Sequence, residues 1–336
     1  MQESLGAGAA KRTCRRKRRI VAAAIAVVTA VGLAGAFISP GAARSTSGSA
    51  PSLFCVEGAE VFSALHAVST SSTARATKDL DRERNTESIV PDSNIPKGSE
   101  PNVSATFTAT IPVWFHVVAA GRSPAKGWVS DTQVRDQIRV LNETFAGGRG
   151  GANTGFRFAL AGTTRTINAS WFAQETFQQE LEMKSALKRG DATTLNIYST
   201  SGGGALGWAY LPKIVVYDNF QVLDGVVVHF GSLPGGSVAN FNLGFTATHE
   251  AGHWLGLIHT FDYGCQGHGD YVQDTPAEAT PTSGCPAGKD TCPESGLDPI
   301  HNYMDYSHDA CYTEFTFGQS DRMHAQFVHW RMQHGY

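Results

Sequence analysis

Outside its first nineteen residues the sequence has no run of lysine or arginine, and its 27 Lys plus Arg nearly balance 30 Asp plus Glu, for a formal charge of −3. A nucleic-acid binder needs a basic stripe to meet phosphates, so DNA and RNA are excluded as default partners. Charge is sparse altogether, at 17% of residues against 41% hydrophobic, which describes a chain that buries a core rather than one that stays disordered. Only one long apolar run is present, which excludes a polytopic membrane protein. No segment repeats, so solenoids and blade arrays are excluded as well. Cysteine is scarce: six in 336 residues cannot build a disulfide miniprotein. The length is enough for one large or two ordinary domains at roughly 150 residues each.

The single apolar run follows the basic cluster. Lys11, Arg12, Arg15, Arg16, Lys17, Arg18 and Arg19 precede an uncharged stretch from Ile20 to Ile38, which ends at Ser39-Pro40-Gly41-Ala42-Ala43. A basic n-region, an apolar h-region and small residues at Gly41 and Ala43 make 1–43 a signal peptide for export. The alternative is a retained signal anchor, since the run is long enough to span a bilayer. Residues 44–105 are rich in Ser, Thr, Ala and charge without a sustained period of 2.0 or 3.6, and read as a pro-segment or linker.

Periodic structure begins at Ile111, where Ile111, Val113, Phe115 and Val117 alternate as a strand. Ser130 or Asp131 can cap a following helix whose Val134, Ile138, Leu141 and Phe145 share one face. Further strands are expected at Phe156–Leu160, Leu195–Tyr198 and Leu223–Phe230, with a helix over 174–188. Alternating strands and helices on this scale give a twisted mixed sheet with helices packed on it, in residues 106–336.

His249-Glu250-Ala251-Gly252-His253-Trp254-Leu255-Gly256-Leu257-Ile258-His259 is an H-E-x-x-H-x-x-G-x-x-H string. On a helix, His249 and His253 share a face and can grip one Zn²⁺, while Glu250 lies beside them within reach of a water. His259 completes a three-ligand site if the helix stops at Gly256, because glycine tolerates the positive φ that turns the chain back. With twelve His and thirty-six Gly in the chain, the five fixed positions recur by chance on the order of 10⁻⁴ times per sequence.

This motif, together with Asn302-Tyr303-Met304-Asp305-Tyr306, resembles the zinc helix and Met-turn of the metzincin metalloproteases. The strings Gly225–Phe230, Leu233-Pro234-Gly235-Gly236, Gly269–Pro276 and Met304–Ser307 are similar to the pappalysin-type branch, the ulilysin-like secreted endopeptidases. The resemblance covers residues 106–336. It implies an α+β fold: a five-stranded twisted mixed sheet with a backing helix and a zinc helix in 106–259, and a loop-rich, disulfide-stapled subdomain in 260–336. It also implies a secreted zinc endopeptidase, made as a zymogen and acting on extended peptide or protein substrates. His249, His253 and His259 are then the zinc ligands, Glu250 the general base, Met304 the floor beneath the metal and Tyr306 a catalytic support. For Tyr306 the competing role is core packing. The strand Gly225–Phe230 is the candidate edge for an added substrate strand, with an interior strand as the alternative. Asp309 lies in the region where the resemblance places an acidic wall of the substrate pocket.

The competing class is a non-catalytic secreted module that keeps zinc for structure, and Glu250 argues against it, since such a module needs no base beside an open metal position. Within the enzyme class, metzincins of the astacin and serralysin types compete with the pappalysin type. Once the leader is removed, no membrane partner is expected, and the chain should be a monomer.

Cys265, Cys285, Cys292 and Cys311 all follow the zinc motif, and four cysteines in an exported chain allow three pairings. No C-x₂₋₄-C pair supports a structural zinc site instead. The family resemblance favours Cys265–Cys292 and Cys285–Cys311. Asp262, Asp270, Asp274 and Glu278 form an acidic turn-rich segment, and the resemblance points to Asp270 and Thr275 as ligands of Ca²⁺; a solvated acidic loop is the alternative. Cys14 precedes the apolar run and leaves with it, so Cys55 is the odd cysteine. Its thiolate can hold the zymogen latent as a cysteine switch, with an intermolecular disulfide or an incidental thiol as alternatives.

Overall fold

A computed structural model describes residues 107–216, 220–266 and 269–336. The signal peptide, the pro-segment and Cys55 lie outside them. The sheet is five-stranded and mixed, in the order β2-β1-β3-β5-β4. Its parallel strands are β1 (Ala109–Ala119), β2 (Phe156–Ile167), β3 (Leu195–Thr200) and β5 (Val226–His229), and β4 (Gly207–Ala209) runs antiparallel at one edge.

Strand alternation decides which layer each side chain joins. Val113, Phe115, Ile197, Val226, Val228 and Ala209 face the backing helix α1 (Asp131–Phe145) and the zinc helix α5 (Phe245–Trp254). Val118, Tyr198, Val227, Trp208 and Tyr210 face the other way, towards α3 (Phe177–Leu187) and α4 (Pro212–Val216), with the short α2 (Ala169–Ala173) on the same side. Helix α1 begins at Ser130 in a reciprocal capping box with Gln133, and buries Val134, Ile138, Leu141 and Phe145 as its spacing predicts.

Two expectations are corrected. The alternation Phe156, Phe158, Leu160 loses its burial at the last member, which is 39% exposed, although Leu160 still pairs in phase with Val113; the β1–β2 register shifts only beyond it, where Trp114 pairs with Gly162. The Gly225–Phe230 strand is not an edge. It lies between β3 and β4, and its unbroken valine run reflects burial on both faces. The edge belongs to β4.

Beyond the zinc helix the chain is mostly turns, stapled by Cys265–Cys292 and Cys285–Cys311. It ends in α6 (Phe317–Gln326) and a π-helical continuation, Phe327–Gln333. This terminal helix packs back on the start of the sheet: Phe327 meets Phe156 and Phe107, and His324 Nε2 lies 2.5 Å from the Thr154 carbonyl. Arg331 closes the contact as a two-pronged ion pair with Asp224, both ends fully buried.

Candidate active site

Helix α5 presents His249 and His253 one turn apart on a buried face. It ends where Gly256 takes φ 97°, with the Leu257 amide returning to the Gly252 carbonyl at 3.0 Å. That reversal brings His259 back beside the helix, so the three Nε2 atoms converge: His249 to His253 is 3.0 Å and His253 to His259 is 3.1 Å.

The far sides of the rings define their protonation. His249 Nδ1 lies 2.7 Å from the Tyr303 carbonyl and His253 Nδ1 lies 2.8 Å from the Leu257 carbonyl. A carbonyl only accepts, so each Nδ1 carries the proton and each Nε2 offers a bare lone pair. His259 Nδ1 faces Asp262 Oδ2 at 3.4 Å, and the same carboxylate accepts from the His259 amide at 3.0 Å. Burial, with the two neighbouring imidazoles, holds the His253 pKa well below its ordinary value and keeps the ring neutral. Lone pairs facing one another at 3 Å repel unless a cation lies between them. A tetrahedral Zn²⁺ with nitrogens at about 2.0–2.1 Å sets them about 3.4 Å apart, so this donor set suits that ion.

Glu250 is buried beside this cluster, against the edge strand. A Cβ added to Gly207 would stand 2.9 Å from Glu250 Oε1. Met304 is fully buried under α5, where a Cβ at Gly252 would come within 2.5 Å of its sulfur. The Tyr306 hydroxyl lies 3.1 Å from His259 Nε2. The structure therefore gathers His249, Glu250, His253, His259, Met304 and Tyr306 in one place, and puts Gly256 at the helix end.

The sequence family described as Peptidase_M43, pregnancy-associated plasma protein-A, matches residues 205–328, the span that carries this whole site. An extracellular metalloprotease of Pyricularia oryzae is 48% identical over 225 residues, 66% of this chain and 76% of the relative. The chain belongs to the pappalysin-type family. A second extracellular metalloprotease, from Sordaria macrospora, is 47% identical over 232 residues, 68% of this chain and 78% of its own. The solved structure of mature mirolysin from Tannerella forsythia, in complex with a cleaved peptide, is 32% identical with a TM-score of 0.56, covering 66% of this chain and 92% of that one. This pappalysin-type protein is thus an extracellular metalloendopeptidase with a metzincin fold. Among the described residues no helix is long and apolar enough to cross a membrane.

Other expected residues lie elsewhere. Asp270 and Thr275 are both buried and line a cavity of about 440 Å³ with Thr260 and Glu294. The acidic segment around them is more committed than its composition implies: Asp262 serves His259, Asp274 accepts from the Gly318 amide at 2.9 Å, and Glu278 is paired with Lys289 at 2.5 Å. His229 accepts from the Gly231 amide and takes no part in the cluster.

Two residues near the site carry no signal in the motif itself. Gly207, by lacking a side chain, leaves room for Glu250. Asp309 meets the start of the zinc helix: that helix begins at Gly244, which has no capping side chain, and Asp309 Oδ2 accepts from the Leu243 amide at 2.7 Å beside it. Burial pushes the Asp309 carboxyl from 3.8 up to about 7. Asp309 is 1% exposed, with Oδ2 committed to the backbone. The sequence signal for its actual use is the missing cap at Gly244.

Proposed function

We propose that this protein is a zinc endopeptidase in which His249, His253 and His259 hold the metal and Glu250 is the general base. The observation that carries this reading is the convergence of three Nε2 atoms beside a buried carboxylate and a tyrosine hydroxyl. When bound there, Zn²⁺ supplies a Lewis acid that acidifies water and polarises the scissile carbonyl. Glu250 takes the proton from the attacking water and delivers it to the leaving amine, and its burial against Gly207 fixes the carboxylate for both transfers. Tyr306 offers a hydroxyl to the oxygen that gains charge. Met304 supports the helix from below at Gly252.

The substrate lies extended along β4, whose outer side has no strand among the described residues and whose Gly207 adjoins Glu250. A cleaved peptide in mirolysin is consistent with such a cleft. Residues 1–43 direct export, 44–105 form a pro-segment that Cys55 keeps latent, and 106–336 are the catalytic domain. Asp270 and Thr275 bind Ca²⁺ in their cavity, where buried oxygens suit a hard cation.

Stripping the mature protein with a zinc-selective chelator should abolish cleavage of an internally quenched peptide, and one equivalent of Zn²⁺ should restore it. Full activity in protein shown to be free of metal would refute the reading.

A further inference from the structure

The strand next to Glu250 is held by a buried charge cluster on the opposite face of the sheet. β4 is three residues long and hydrogen-bonds to β5 along one side only. So short an edge strand has few ladder bonds to fix its position. Gly207 and Ala209 face α5 and Glu250, which leaves Trp208 and Tyr210 pointing down towards α3. There they meet one carboxylate. The Trp208 indole N–H donates to Glu180 Oε1 at 2.7 Å, and the Tyr210 hydroxyl donates to Glu180 Oε2 at 3.1 Å.

Glu180 is 1% exposed and pairs with Lys184, itself fully buried one turn along α3, at 2.9 Å. The Lys184 ammonium also donates to the carbonyls of Leu223 at 2.6 Å and Gly225 at 3.4 Å, the turn that feeds β5. One ion pair therefore fastens both β4 and the strand it pairs with to the same helix. Such a pair is a poor device for stability alone, because packed apolar residues of similar volume would serve as well. What it supplies is direction: two oxygens of one rigid carboxylate fix the side chains on either side of Ala209.

We propose that Glu180 is a positioning residue for substrate, fixing β4 at the height where an extended peptide can pair with it while its scissile bond faces Glu250. The idea rests on strand addition at β4 and names the part of the chain that makes this strand a rigid template.

The test is a length series of internally quenched peptides on the mature protein, with Tyr210→Phe, Trp208→Phe and the double variant. For the parent protein, kcat/KM should rise with peptide length as more of β4 is paired. The double variant should lose about tenfold in kcat/KM on the longest peptides, mostly in KM, as expected for two lost hydrogen bonds to a charged group. On the shortest peptide cleaved its loss should be several-fold smaller than on the longest, with zinc content unchanged. A loss equal at all lengths, or none, would overturn the proposal. Tyr210→Phe removes a single oxygen and gives the same readout, at smaller size, if replacement of Trp208 impairs folding. If the parent protein shows no length dependence, strand addition itself is wrong, and that result is separable from a failure of Glu180 alone.

Discussion

At the scale of single residues, the site depends on what is missing as much as on what is present. Gly207 and Gly252 carry no side chain where Glu250 and Met304 need the space. Asp309 is the residue with the clearest pH signature. Its pKa in the folded protein is raised to about 7 by burial, against an ordinary 3.8, so folding favours the protonated form. The stability it contributes is complete below about pH 4, declines as pH rises towards 7, and is gone above that. At 1.36 kcal/mol per unit the full effect is on the order of 4 kcal/mol. Asp309→Asn keeps an acceptor for the Leu243 amide and removes the titration. Urea unfolding from pH 4 to 8 should show the variant gaining on the parent protein up to pH 7 and holding that gain above it. A gap that is constant, or that narrows with pH, would contradict the assignment.

At the scale of elements, the zinc helix is held at both ends by groups distant in sequence. Its start is met by Asp309 and by Gln137, whose amide donates to the Gly244 carbonyl at 2.9 Å. At its end, Arg331 donates to the Trp254 carbonyl and Arg322 to the Gly256 carbonyl, each at 3.0 Å. Arg331→Met leaves the fully buried Asp224 without its ion-pair partner and should cost about 3–5 kcal/mol in urea unfolding. Adding Asp224→Asn should return much of that, since no charge is then stranded, and a double variant as unstable as the single would argue against the pairing. Helix α1 is legible in the sequence because Ser130, Gln133 and a full apolar stripe sit within one local pattern. β4 is not. Gly207-Trp208-Ala209 is too short to show a period, and its role as edge arises from topology. The valine run of β5 is expected as an edge only because an extended substrate needs a strand to pair with, while its continuity already speaks for an interior strand. Leu160 keeps the period of 2, in phase with Val113, yet stands 39% exposed just before the β1–β2 register shifts.

At the scale of the whole molecule, one local string, His249 to His259, brings together most of the metal chemistry because a single helix and a single turn position it. Met304 and Tyr306 join from over forty residues away, so only their resemblance to a known turn makes them legible. Glu180 and Asp309 act through tertiary contacts that no spacing records. The disulfides staple the turn-rich half internally, and the returning terminal helix ties it to the sheet on which the zinc helix rests. All of this converges on the buried Glu250 carboxylate beside the three imidazoles. The most direct measurement is kcat for an internally quenched peptide with zinc-loaded Glu250→Gln. The account predicts a fall of about 10²–10⁴ with zinc retained at one equivalent, whereas a kcat within tenfold of the parent protein would contradict it.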